Sequence, residues 1–320
     1  MSVIYQYIEH FNGKVVKIDK REAYVLDNFY YFILPTGESE QAHLEREWLA
    51  SYLEQQNYLR VAKPIKSING SFVTQDQDKS YVCLQAMKHP YEIKNSETRL
   101  AEFHQVAIGY PYMPRFISVY GSWQSLWEDK LTLFEAYYQN QLDMRPVSRY
   151  QRLLVDTFPY LIGLTENAIQ YVQEINHETR FTEMDQGCIT FQRYTNQLDK
   201  PFIFSNEFIF DHPARDIAEY IRPLLFRKDG KQQIVEILQT YEKTSPLSVF
   251  GWELLYARLI LPIHLFDFID RSSNYFDKEE TYLNYRQMLD NQLYYEEQLR
   301  TFFKDNKIDV FKNRIHQLDW

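Results

Sequence analysis

Glycine is scarce in this chain, nine residues in 320, so no glycine-rich phosphate-cradling loop can be drawn along it. Cysteine is scarcer. Cys83 and Cys188 cannot form a disulfide framework, which fits a reducing compartment, and each sits among strand-like apolar residues as an expected buried thiol. No run of Lys or Arg occurs, and 44 acidic residues against 35 basic ones give a formal charge of −9. A diffuse acidic field repels phosphate backbones, so general nucleic-acid binding is excluded. No apolar stretch is expected to span a membrane: the longest, around Leu254 to Phe268, is interrupted by Arg258, His264 and Asp267. The opening Met1-Ser2-Val3-Ile4-Tyr5-Gln6-Tyr7 has no basic region followed by an apolar one, so a protein made and folded in the cytosol is expected. The eight histidines include no His-x-x-x-His or His-x-His pair, and Gly-x-Ser-x-Gly is absent. Nothing beside Cys188 and His177 suggests a thiol nucleophile.

Aromatics are abundant: 26 Tyr, 22 Phe and 5 Trp make 17% of the chain. Tyr buries a large ring and keeps a polar handle, so many are expected half-buried on amphipathic helices; a surface used for assembly is the other reading. With 45% apolar and 25% charged residues, the chain has the composition of one large globular domain or two modest ones.

Strand-like segments come first. Lys14 to Ile18 and Ala23 to Leu34 are rich in Val, Ile, Tyr and Phe, with a turn at Asp27-Asn28. Glu38 to Tyr58 has helical spacing, with Leu44, Trp48, Tyr52 and Leu53 on one face and Glu45, Arg46 and Glu54 off it. Val61 to Ile65, a hairpin at Asn69-Gly70 and a strand from Tyr81 to Met87 follow. After a polar crossing at Lys88-His89-Pro90-Tyr91, helices dominate: one capped by Ser96, then Ser122–Gln139, Ser148–Asn176, Pro213–Leu225, Ile234–Tyr241, Ser245–Asp270 and Lys278–Phe303, with Pro159 and Pro262 kinking or dividing two of them. The pattern predicts an α+β protein-kinase-like fold: a small N-terminal sheet lobe with one helix (1–87), a hinge (88–94) and a large helical lobe (95–320).

Three segments strengthen that reading. Arg99-Leu100-Ala101-Glu102-Phe103-His104-Gln105 resembles the first large-lobe helix of the aminoglycoside phosphotransferase and choline kinase family. The stretch from Asp211-His212-Pro213-Ala214-Arg215-Asp216 to Arg222 resembles the segment after that family's metal-binding Asp. Together with Tyr120-Gly121-Ser122-Trp123-Gln124-Ser125-Leu126-Trp127, they are most similar to the spore-coat branch of endospore formers, the CotS/YutH type. The resemblance covers about Leu34 to Arg222. It implies synthesis in the mother cell, a final place in the spore coat, and other coat proteins as partners.

Phosphoryl transfer in that fold needs a Lys on the third strand, a Glu pairing it, a catalytic Asp and metal-binding Asp or Asn residues. The matching strand here, Tyr30-Tyr31-Phe32-Ile33-Leu34-Pro35, holds no base, so Glu45 and Glu47 are expected to be solvated surface charges. Aligned on the catalytic loop, Phe191 replaces the His and Arg193 the Asp, and a guanidinium cannot serve as a base. A competing alignment puts Glu183, Asp185 and Thr190 on the loop and makes Asp185 the base. The metal position falls on Phe204 or Ser205, with Asn206 or Glu207 as oxygen donors in principle. Asp216 is expected to support the loop, Asp211 to cap a helix, and Arg193 to need an acidic partner, Asp216 before Glu183, Asp185 or Asp211. The resemblance thus implies a kinase fold without catalytic residues, metal or cofactor; the alternative is a small-molecule kinase with displaced groups at Asp185, Asn206, Glu207 or Asp211.

Overall fold

The computed structural model describes residues 3–88, 98–143, 148–177, 182–272, 278–310, 315 and 318. The strands β1 (Lys14–Ile18), β2 (Arg21–Leu26) and β3 (Phe29–Pro35) form an antiparallel meander. Its turns are left-handed at Asp19, Lys20 and Asp27, the last being the expected turn. Helix α1 (Glu40–Gln55) begins where Ser39 Oγ accepts the Ala42 amide at 3.3 Å. β4 (Val61–Ile65), β5 (Val73–Asp76) and β6 (Lys79–Met87) extend the sheet, ordered β1-β2-β3-β6-β4 with β5 also on β6, and a two-residue strand from later in the chain, β8 (Ile203–Phe204), adds to its β4 edge.

Asn69-Gly70 turns the chain, with Gly70 at φ 84°, but closes no hairpin. β4 and β5 both pair antiparallel with β6, so the turn loops out between two halves of one interrupted strand. The hairpin is β5–β6, closed at Gln77 with φ 56°. β3 pairs with β6 along its whole length, from Phe29↔Met87 to Pro35↔Tyr81. Side chains alternate across this sheet. Phe32, Val82, Leu84 and Ala86 fill one face; Tyr31 and Cys83 fill the other with Val3, Ile4 and Tyr7.

The remaining elements are α2 (Arg99–Ile108), α3 (Trp123–Asp143), α4 (Arg149–His177), β7 (Cys188–Phe191), β8 (Ile203–Phe204), β9 (Phe208–Asp211), α5 (Ala214–Leu225), α6 (Gly230–Thr244), α7 (Val249–Ile260), α8 (Ile263–Ser272), α9 (Glu279–Arg300) and α10 (Phe302–Asp305). Beyond Lys88, the expected hinge at 88–94 lies outside the described residues, as does the Ser96 cap. The chain groups into two compact units: Met1–Tyr120 with Gln186–Asp216, and Gly121–Asp185 with Ile217–Trp320. The first unit therefore takes in α2 and β7 to β9 along with the sheet.

The buried face of α1 differs from the expected one. Ala42, His43, Glu45, Arg46, Leu49, Ala50 and Leu53 are buried, whereas Trp48 is 50% exposed. Apolar spacing alone picked the wrong stripe because two charged residues on the inner face find partners elsewhere. Arg46 Nε donates to Phe208 O at 3.0 Å and its Nη2 to Glu38 Oε1 at 2.7 Å.

In the second unit, Phe134, Tyr150, Leu154, Phe158, Leu161, Leu265, Phe266, Ile269 and Tyr285 share one core. Tyr is buried more deeply than amphipathic spacing implies: Tyr150, Tyr171, Tyr256, Tyr285 and Tyr295 are all enclosed. Pro262 divides α7 from α8, while Pro159 lies inside an undivided α4. Within Val249–Ser272 an 18-residue window has a mean hydropathy of 1.3, enough to cross a membrane by length and composition alone, but 89% of that window is buried inside the protein, as in the core helices of a soluble fold.

Candidate functional site

The segment expected to align with the catalytic loop leaves β7 at Phe191 and returns through β8 to β9. β7 and β9 pair antiparallel, from Cys188↔Asp211 to Phe191↔Phe208. Phe191 is fully buried, with Phe103, Phe208 and Tyr194 at centroid distances of 5.4, 5.4 and 5.5 Å. Phe191, which the resemblance aligns with a histidine, is a core residue here.

Asp216 holds this strand end in place. Its Oδ1 and Oδ2 accept the Phe191 amide at 3.0 and 3.2 Å, and His104 Nε2 of α2 lies 3.2 Å from Oδ2. Both side chains are wholly buried. Burial pushes the Asp216 carboxyl above its ordinary value, with His104 and the Phe191 amide pulling the other way. The acidic group expected to pair with Arg193 is thus engaged by His104 instead. Sequence reading quoted His104 in the Leu-Ala-Glu-Phe-His segment yet gave it no role.

Asp211 ends β9, three residues before α5 begins. Its carboxylate accepts Arg215 Nη1 at 2.9 Å and the His212 amide at 2.8 Å, while His212 Nδ1 accepts the Ala214 amide at 3.1 Å. Arg215 also reaches the Gln192 carbonyl at 3.1 Å, so its guanidinium joins Asp211 to the loop backbone. Arg193, next in the loop, is half-buried. Thr190 directs its hydroxyl to the Ile209 carbonyl at 3.4 Å, as an ordinary strand residue does.

β8 runs parallel to β4, with Val61↔Ile203 and Ala62↔Phe204 in register. This brings two rings against the inner face of the sheet. Phe202 meets Phe32 at 5.5 Å and Tyr30 at 5.3 Å, and Phe204 meets Phe32 at 4.9 Å. Ala23, Ala62, Val82, Leu84 and Ala86 complete the cluster. The Arg21 guanidinium sits over the Phe204 ring, 4.2 Å from its centroid, and donates to Glu207 Oε1 at 3.1 Å. Glu207 also accepts Gln197 Nε2 at 2.8 Å. One of the two candidate oxygen donors is therefore committed to Arg21 and Gln197. Asn206 Oδ1 and the neighbouring Ser205 Oγ are buried without a partner. Among the described residues, no three His, Cys, Asp or Glu side chains come together as a metal-holding group.

Asp185 belongs to the other unit, with Ser248. Its Oδ2 accepts the Thr182 amide and hydroxyl, both at 2.8 Å, and its Oδ1 accepts the Ser248 hydroxyl. Ser248 in turn caps α7 by accepting the Gly251 amide at 2.9 Å. The Glu183 side chain lies outside the described residues. Both thiols are buried, and burial pushes each pKa upward, away from nucleophilic use.

Glu45 was expected in solvent and is instead buried. Its carboxylate accepts the amides of Arg115, Phe116 and Ile117 at 2.7, 2.8 and 3.0 Å. No sequence signal marks such a role, because the partners lie some 70 residues away along the chain.

Comparison with known proteins agrees with this geometry. The profile of the family described as "Spore coat putative kinase YutH" matches residues 2–305. The "Endospore coat-associated protein YutH" of Bacillus subtilis (strain 168) is 32% identical over 271 residues, covering 82% of this chain and 79% of that protein. Among solved structures, an aminoglycoside phosphotransferase from Alicyclobacillus acidocaldarius superposes with a TM-score of 0.61 at 12% identity, over 95% of each chain. The amicoumacin kinase hAmiN superposes with a TM-score of 0.56 at 13% identity, over 97% of this chain and 94% of its own. At such identities the likeness shows the fold alone, and that fold is kinase-like.

Proposed function

The chain belongs to the spore coat putative kinase (YutH) family, and from that premise we propose that it is a pseudokinase: a non-catalytic kinase-fold protein that works through its surfaces as a binding component of spore coat assembly. On this reading its lobes are residues 1–87 and 95–320, it is synthesised in the mother cell, and its partners are other coat proteins. The observation that carries the proposal is the filling of the sheet's inner face. Where the resemblance puts a third-strand Lys facing a metal-binding Asp, Phe32 on β3 packs against Phe204 on β8. Aromatic rings offer neither the cation nor the oxygen ligands that an ATP–Mg²⁺ complex requires. Arg193 in the base position cannot accept a proton at neutral pH. Asp216 survives because its work is structural, holding the Phe191 amide.

The test is a thermal shift with Mg²⁺–ATP. A ligand that binds the native state raises apparent stability by about 2.7 kcal/mol at a hundredfold excess over Kd. No shift at millimolar nucleotide, and no ATP turnover above background, is the expected result. Turnover that vanishes in Asp185→Asn would overturn the proposal and favour a small-molecule kinase with displaced catalytic groups.

A further inference from the structure

The outer face of α1 and the chain following α2 enclose a groove of about 670 Å³. Trp48, Ser51 and Tyr52 line it from α1, and Tyr110, Pro111 and Tyr112 from the other side. This is not the aromatic cluster on the inner face of the sheet. Trp48 is 50% and Tyr112 70% exposed, and Phe116 farther along the same chain is 60% exposed. Large rings left in water at one place mark a contact surface.

The walls are built rigidly. Tyr52 donates its hydroxyl to the Val106 carbonyl at 2.8 Å and meets Tyr110 edge to face at 5.3 Å; Tyr110 meets Tyr112 the same way at 5.7 Å. Gly109 lets the chain pass close to Tyr52, since a Cβ there would lie 2.7 Å from the Tyr52 hydroxyl. Glu45 anchors the following stretch through the three amides described above. Rings held in this way lose little entropy when a ligand arrives.

The electrostatics select the ligand. None of the seven lining residues, Gln55 of α1 included, is cationic. Glu47, one turn before Ser51 on α1, accepts the Ser51 hydroxyl at 2.8 Å and so puts a carboxylate at the groove wall. Burial first, then Glu45, Tyr112 and Glu47, push the Tyr110 hydroxyl up to about 12, and no cation is among the groups acting on it. Ring faces carry negative charge density, and the whole chain has a formal charge of −9. A side chain with an apolar stem and a cationic head fits such a place, and Arg or Lys has both.

We propose that this groove docks an extended basic segment of a partner protein, seating an Arg or Lys side chain among Trp48, Tyr52, Tyr110 and Tyr112 with its charge facing Glu47. The proposal does not depend on whether nucleotide binds elsewhere in the chain.

Fluorescence anisotropy with a labelled peptide of Arg, Gly and Ser tests it on the full-length protein. The comparison probe is the same peptide with every Arg replaced by citrulline, which keeps the shape and removes the charge. The Arg peptide should bind, and the citrulline peptide should bind at least about tenfold more weakly. Trp48→Ala, Tyr112→Ala and Glu47→Gln should each weaken binding by about fivefold to tenfold, with unchanged circular dichroism and thermal midpoint, since all three side chains reach the surface. Glu280→Gln, at an exposed position in the first turn of α9, removes the same charge in the other unit and should leave binding unchanged. Several results would overturn the proposal: no binding of the Arg peptide, equal binding of the citrulline peptide, or equal weakening by Glu280→Gln. Self-association of the protein that disappears in Trp48→Ala would overturn it in favour of a second copy as the occupant.

Discussion

Phe32 on β3 and Phe204 on β8 meet edge to face, with ring centroids 4.9 Å apart and planes at 79°. The pair ties the middle of the sheet to the chain that follows β7, and both rings are buried. Edge-to-face contacts add about 0.5–1.5 kcal/mol to ordinary burial, so this region is stabilised as a core.

Removing Phe204 should therefore cost stability. Phe204→Ala leaves a cavity against Phe32 and Phe202, and a loss of about 3–5 kcal/mol is expected from the shift of the urea midpoint at constant slope. Phe204→Asp puts a carboxylate where the resemblance would place a metal ligand, but buries it among rings. It should be destabilised at least as much and still show no thermal response to Mg²⁺–ATP. A response in the Asp variant would mean that the nucleotide site survives beneath the rings.

Glu45 makes a different prediction. Glu45→Ala strips three amides of their acceptor, and each orphaned buried donor costs about 1–3 kcal/mol. A total of about 3–5 kcal/mol is expected, since the loop can relax toward water. Hydrogen exchange at Arg115, Phe116 and Ile117 should accelerate far more than exchange in β3 or β6. Glu45→Gln, which keeps one acceptor oxygen, should fall between wild type and Ala. Equal protection of those three amides in Glu45→Ala would show that the carboxylate does not hold them.

His43 supplies a pH dependence. It is fully buried on α1, its Nε2 lies 2.9 Å from Thr36 Oγ1, and burial followed by the nearby Arg46 lowers its pKa from the ordinary 6.5. Glu38 and Glu40 oppose the shift without reversing it. A depressed histidine is neutral in the folded chain while the unfolded chain takes up a proton. Its contribution to stability is thus complete above 6.5 and is lost as pH falls from there toward the lower folded value. Urea midpoints of wild type should drop between pH 7.5 and pH 5.5 by more than those of His43→Gln. Parallel curves for the two proteins would remove His43 as a source.

Much of the fold was legible in the chain. Apolar runs rich in Val, Ile, Tyr and Phe found β1 to β4 and β6, helical spacing found most of the long helices, and Pro262 does divide α7 from α8. The spacing of α1 misled because pattern reading assumes that charges face water. The Asn69-Gly70 turn was read correctly as a turn and wrongly as a hairpin, since which strands pair depends on β6, not on the turn.

The sequence by itself determined which residue types stand at the positions that the resemblance picks out. No base stands in the third strand, and the positions that the resemblance aligns with the catalytic loop and the metal ligand hold Phe191, Arg193 and Phe204 or Ser205, because the chemistry of a side chain travels with its letter. Only the tertiary structure decided what each retained group does. Asp216 is claimed by His104, 112 residues away, and not by Arg193; Glu207 is claimed by Arg21, 186 residues away; Phe202 and Phe204 come to rest on Phe32. Buried hydrogen bonds and ring contacts are made with whatever the chain topology brings within about 3–5 Å, and no local window of sequence contains that information.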